Sequence, residues 1–151
     1  MEDPFGLARF ARGERRPIEF GNLNARRDWD FVGDYMEGMW WMLQQDVADD
    51  HVLATGITTP IRDFIGFAAE ALGLELQWSS EAEHEPAIDR ASGKVVVKVN
   101  PKFFRPAEVD VLLGDAGKAR SILGWKPRLT VRDLAALMAR SDYDDWMARR
   151  L

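Results

Sequence analysis

The run Lys94-Val-Val-Val-Lys-Val99, followed at once by Asn100-Pro101, constrains this chain more than any other stretch. β-Branched side chains sit well on a pleated surface, so the run predicts a strand. Pro101 has no amide hydrogen and cannot extend a ladder, so the strand must stop at Asn100. The other short strand candidates are Arg16–Phe20, His51–Ala54 and Leu74–Trp78. Helical periodicity accounts for most of the rest, over residues 4–12, 31–45, 61–72, 117–123, 131–140 and 142–150. The class is α/β.

Several local signals sharpen these elements. Val32, Tyr35, Met36, Met39, Trp40 and Leu43 fall on one helical face, which predicts core packing, with a Met- and Trp-rich binding groove as the alternative. Asp30 is the expected N-cap of that helix. Thr59 and Pro60 read as N-cap and first residue of the next, and Gly73 as its stop. Thr130 with Asp133 resembles a capping box, and Ser141 with Asp144 starts a separate last helix. Trp29 and Trp125 read as core residues. Residues 21–28 read as loop. Residues 79–93, with Glu81, Glu83 and Glu85 around His84, read as an exposed loop, with a functional lid as the alternative.

Composition narrows the function. The 151 residues suit one domain spanning 1–151, and 46% hydrophobic with 30% charged residues is the profile of a soluble globular protein. Net charge is −5 without a basic block, which argues against nucleic-acid and anionic-membrane partners. There is no cysteine, hence no disulfide or thiol chemistry, and a reducing cytoplasm fits. The start Met-Glu-Asp-Pro is acidic where a signal peptide is basic, and no apolar run nears a membrane span. His51 and His84 stand far apart, which argues against zinc.

Beyond Asn100-Pro101 comes Lys-Phe-Phe-Arg105-Pro106-Ala-Glu108-Val109. Arg105 offers a rigid fork of donors suited to a phosphate, and Glu108 offers two acceptors suited to paired sugar hydroxyls. With Pro106 stiffening the turn between them, the two form a candidate reader of a diphosphate and its ribose. A surface ion pair is the competing reading.

A set of motifs carries a resemblance. Gly21-Asn22-Leu23, Ala25, Arg27-Asp28-Trp29, Asp34-Tyr35, Met42-Leu43-Gln44-Gln45 and Ala54-Thr55-Gly56 occur in order. Phe103-Phe104-Arg105-Pro106-Ala107-Glu108-Val109, Gly114-Asp115, Lys118-Ala119 and Leu123-Gly124-Trp125-Lys126-Pro127 follow. Together they resemble GDP-mannose 4,6-dehydratase, an extended short-chain dehydrogenase/reductase, from about residue 20 to 141. The resemblance implies the C-terminal substrate-binding part of that fold without the Rossmann half. The family enzyme is an NADP-dependent lyase of GDP-fucose biosynthesis: it oxidises C4 of GDP-mannose, eliminates water across C5 and C6 and returns the hydride at C6.

That chemistry needs Gly-x-Gly-x-x-Gly after a strand and a Tyr-x-x-x-Lys pair. These 151 residues contain neither, since Tyr35 and Tyr143 are each followed four residues later by Met. No cofactor and no catalytic residue are therefore expected in this chain. By matching position, the resemblance implies that Arg27 and Arg105 contact the diphosphate and Glu108 the ribose hydroxyls. Gly21 and Asn22 would border the guanine; Arg26 falls at a variable position and inherits nothing. Asp28 reads as a structural partner rather than a base. The expected partners are a GDP-sugar, a separate Rossmann-domain chain and further copies of the chain, because a surface covered in the family would here be open. A non-catalytic nucleotide-sugar module and a decayed, truncated dehydratase are the alternatives.

Overall fold

The computed structural model describes residues 6–14, 16–79, 86–103 and 109–148. The run Lys94–Val99 is its longest strand, β6, and lies inside a four-stranded sheet. On one side β6 pairs in parallel with β1 (Ile18–Phe20), Ile18 opposite Val97 and Phe20 opposite Val99. On the other it pairs antiparallel with β5 (Ala87–Asp89), which pairs antiparallel with β4 (Leu76–Trp78) at the far edge. The register shifts at Ala87/Ile88, and Val96 and Val97 are both fully buried across this irregularity.

A second, two-stranded ladder joins β2 (Arg26–Asp28) to β3 (Thr58–Pro60), Arg27 opposite Thr59. The helices are α1 (Gly6–Ala11), α2 (Val32–Met42), α3 (Ile61–Ala71), α4 (Gly117–Leu123) and α5 (Val131–Ala148). Phe10, Leu23, Ile65, Ala87, Val96 and Val97 form the main core between the sheet, α1 and α3. Ala68, Ala135 and Ala139 let α3 and α5 pack closely. Trp125 anchors a third cluster with Ala54, Ala116 and Ala119.

Several expectations need correction. β2 and β5 lie in stretches expected to be loop; β2 is polar throughout and carries no apolar alternation to betray it. His51–Ala54 joins no ladder and makes no main-chain hydrogen bond among the described residues. Thr59 is not the cap of α3. It pairs with Arg27 in β2–β3, and Pro60 is the cap. The first free amides of α3 are satisfied instead by the loop between β1 and β2: Ile61 N–H donates to Ala25 C=O (3.1 Å) and Arg62 N–H to Leu23 C=O (3.0 Å). Phe31, not Asp30, caps α2; Asp30 Oδ1 accepts from the Phe31 N–H at 2.7 Å. The capping box of α5 is present, with Thr130 Oγ1 donating to Asp133 Oδ2 at 2.6 Å and accepting from Asp133 N–H at 3.2 Å. α5 runs through Ser141 without interruption, so no separate last helix begins there.

The largest correction concerns α2. Its buried positions are Asp34 and Gly38, while Val32, Met36, Met39, Trp40 and Leu43 face outward. Gly38 is where α2 meets the body: a Cβ there would stand 2.6 Å from Leu53 Cδ1 and 3.0 Å from Trp125 Cδ1. Asp34 is buried but fully engaged. Its carboxylate accepts from Arg128 N–H (2.8 Å) and Arg128 Nε (2.6 Å), and its carbonyl accepts from Trp125 Nε1 (2.8 Å).

Candidate functional site

β1 and β6 are parallel, so their carboxyl ends open on the same side of the sheet, the usual place for a ligand in α/β folds. The chain leaves them as Gly21-Asn22 and Asn100-Pro101. The Asn100 N–H donates to Phe20 C=O at 2.8 Å, which continues the ladder one step. The Asn100 side chain then organises the exit: Oδ1 accepts from Lys102 N–H at 3.0 Å, and Nδ2 donates to Glu19 Oε2. A single 3-10 turn, Pro101–Phe103, follows.

Glu19 also takes Lys98 Nζ at 2.7 Å. The Lys98 hydrogen bond, then that of Asn100, holds the Glu19 carboxyl below its usual range. A lowered carboxylate contributes its interaction at pH above the unfolded value. The contribution is lost as pH falls through the lowered one, so this tie loosens only in acid.

The Phe103 carbonyl closes over Gly21. A Cβ at position 21 would meet Phe103 O at 2.5 Å and its carbonyl carbon at 2.9 Å, and both are backbone atoms that cannot swing aside. Gly21 is therefore required by close approach of two chain segments. Asn22 turns in on its own loop, its Oδ1 accepting from Asn24 N–H at 2.9 Å. Leu23 and Ala25 are buried, and they pin this loop to the core.

β2 forms the other wall. The Arg26 N–H donates to Asp110 C=O (2.7 Å) and the Leu112 N–H to Arg26 C=O (3.1 Å), a parallel bridge centred on Val111. The Arg26 side chain reaches β3, with Nε on Thr58 Oγ1 (3.0 Å) and Nη2 on Thr58 C=O (2.7 Å). Arg27 points its Nη1 to Arg26 C=O (2.9 Å) and Val109 C=O (2.8 Å). Asp28 gathers four donors: Thr55 N–H (3.0 Å), Thr55 Oγ1 (2.5 Å), Gly56 N–H (3.0 Å) and Gly114 N–H (3.4 Å). That is the structural partnership expected of it. Trp29 is half-buried and stacks on Phe64, with centroids 4.3 Å apart.

The expected site residues thus divide in two. Gly21, Asn22 and Arg27 lie along one loop and the strand after it. Arg105 and Glu108 lie outside the described residues, but both approaches to their segment are fixed. Phe103 sits against Gly21, and Val109 is held by Arg27. The Glu19–Asn100 tie and the Arg26–Thr58 contact were not foreseen. Only the Asn-Pro break hinted at the first, and nothing in the residue pattern announced the second. Among the described residues no acidic or histidine cluster is placed to hold a metal ion. Nor is any helix among them long and apolar enough to cross a membrane.

The family model for GDP-mannose 4,6 dehydratase matches residues 3–138. A GDP-mannose 4,6-dehydratase of Sinorhizobium fredii is 50% identical over 135 residues, 89% of this chain and 38% of that protein. One from Vibrio cholerae is 42% identical over 147 residues, 91% of this chain and 40% of that protein. The chain therefore spans about two fifths of the length of these relatives. Among solved structures, RMD from Pseudomonas aeruginosa complexed with NADPH superposes with a TM-score of 0.68 at 20% identity, over 97% of this chain and 41% of that one. UDP-glucose 4-epimerase from Bifidobacterium longum, solved with NAD+ and UDP, gives 0.65 at 21% identity, over 95% and 39%. These likenesses establish the fold as part of the extended short-chain dehydrogenase/reductase architecture. The matched span covers the loop at Gly21, the polar strand β2 and the Trp125 anchor alike, and the chain belongs to the GDP-mannose 4,6-dehydratase family.

Proposed function

We propose that residues 1–151 act as one GDP-sugar-binding unit, filling the substrate-binding role of the family without holding NADP or performing the chemistry alone. The observation that carries this reading is the fixing of both approaches to 104–108. Phe103 closes on the bare backbone of Gly21 at the carboxyl ends of a parallel strand pair, and Val109 is held by Arg27 of β2. In this reading Arg27 and Arg105 receive the diphosphate, Glu108 accepts from the ribose hydroxyls, and Gly21 and Asn22 border the guanine. Hydride transfer would fall to a separate Rossmann-domain chain, in the cytoplasm where nucleotide sugars are made.

Calorimetry with GDP-mannose, GDP and UDP-glucose tests the reading. Both guanine nucleotides should bind, and UDP-glucose more weakly; no heat with any of the three would overturn it. Arg105→Ala should cost about 1.5–3 kcal/mol of affinity, the range for hydrogen bonds to charged groups. Arg105→Lys should recover only part, because an ammonium cannot reproduce the guanidinium fork. Glu108→Gln should weaken binding less and narrow the preference for ribose over 2′-deoxyribose. Unchanged affinity in Arg105→Ala would reduce this loop to scaffold.

A further inference from the structure

The 3-10 turn Pro101–Phe103 brings the Phe103 carbonyl onto Gly21, yet the turn itself buries nothing. Pro101, Lys102 and Phe103 are all exposed, Phe103 by 41%. Apolar burial therefore does not hold the turn, and its place depends on polar ties.

Asn100 supplies those ties, using both main-chain groups and both side-chain polar atoms. Toward β1, its N–H donates to Phe20 C=O (2.8 Å) and its Nδ2 to Glu19 Oε2. Toward the turn, its Oδ1 accepts from Lys102 N–H (3.0 Å) and its C=O from Phe103 N–H (3.0 Å).

The sequence accounts for this geometry. Pro101 keeps Asn100 out of the helical region, and a short amide side chain can bond the N–H two residues on. Lys98 and Asn100 are two positions apart, so they share the sheet face turned away from Val97 and Val99. Glu19 stands opposite Lys98 in the parallel register and lies between the two. Its Oε1 takes Lys98 Nζ at 2.7 Å and its Oε2 takes Asn100, so both carboxylate oxygens are engaged.

We propose that Asn100 is a positioning residue of the nucleotide site: anchored on Glu19, it sets the spacing between the Gly21–Asn22 loop and the turn that ends at Phe103. The inference rests on the nucleotide reading above and extends it to residues that touch no ligand. Asn100 acts through Phe103 and Gly21. Without it the ligand has to fix that spacing itself, and the ordering cost falls on binding. The competing role is a surface tie that adds a little stability and leaves the affinity of the folded protein alone.

Exchanging the two functional groups separates these roles. Asn100→Asp keeps the shape and the acceptor for Lys102 N–H. It also sets a carboxylate against Glu19, which its hydrogen bond to Lys98 keeps ionised at neutral pH. Calorimetry with GDP at neutral pH, well below the melting temperature of each variant, should show affinity reduced by about tenfold. Adding Glu19→Gln puts an amide donor opposite the new carboxylate and reverses the polarity of the bond. The double variant should return to within about threefold of the unaltered chain, whereas Glu19→Gln alone should gain nothing. No heat with the unaltered chain would remove the nucleotide reading and this inference with it. If the unaltered chain binds GDP and Asn100→Asp binds it equally well, this inference alone is overturned. A double variant as weak as Asn100→Asp overturns it too.

Discussion

Trp125→Ala is expected to lower stability by about 3–5 kcal/mol, the range for removing a large buried aromatic side chain. Trp125 is 1% exposed and sits where α2, α4 and the segment at Leu53–Ala54 meet. Its ring packs among Ala54, Ala116 and Ala119, stacks parallel to Tyr35 with centroids 6.5 Å apart, and meets Gly38. Its indole N–H donates to the Asp34 carbonyl at 2.8 Å. Trp125→Phe keeps much of the ring but drops the hydrogen bond to a carbonyl that α2 still engages within the helix, and should cost roughly 1–3 kcal/mol from the lost bond and the smaller ring together. Urea denaturation of the three proteins measures both steps. A loss below about 1 kcal/mol in Trp125→Ala would mean that α2 and α4 are held by something other than this side chain.

Asp28→Ala should be the next most damaging change, at roughly 2–4 kcal/mol, because it strands donors that point at one carboxylate. Two of these are the backbone amides of Gly56 and Gly114, which belong to segments far apart in sequence. Asp28→Asn is instructive because its shape is almost the same. One oxygen can still serve Thr55, but an amide group then faces the N–H of Gly56 or Gly114, donor against donor. Asn should therefore recover little of the stability lost in Ala. Thermal melts settle the order. If Asn restored full stability, the carboxylate charge would be idle here, and a chemical role for Asp28 would have to be reconsidered.

Asp28 also illustrates what could be read from sequence and what could not. Its structural character followed from an acid beside an arginine in a loop, but its partners did not. Thr55, Gly56 and Gly114 become neighbours of Asp28 only through tertiary folding. β6 and its end at Asn100 were legible because valine runs and proline act locally. β2 was not, because Arg-Arg-Asp becomes a strand only by pairing with Thr58–Pro60 and bridging to Val111. For α2, periodicity located the apolar face correctly and assigned it the wrong surroundings. Spacing states which side chains share a side, not what lies against them. At the site, Gly21, Asn22 and Arg27 were selected by motif. The reason position 21 must be glycine, the Phe103 carbonyl, is a contact between segments eighty residues apart in sequence.

That distance also governs how the protein reaches its native state. β5 and β6 are close in sequence and can zip together early, and β4 can join them from nearby. β1 can be added only by closing the long loop between residues 18–20 and 97–99, an entropic toll that local contacts do not share. The edge at β1 should therefore be absent from the folding nucleus. Substitutions at Ile18 should accelerate unfolding while leaving the folding rate nearly unchanged. Stopped-flow denaturant jumps on Ile18→Val would show this as a shift confined to the unfolding limb. Because Gly21 follows directly on β1, the candidate site would be completed by the last segment to dock. If the chain binds nucleotide as proposed, nucleotide added during refolding would capture molecules only after the rest of the sheet had formed.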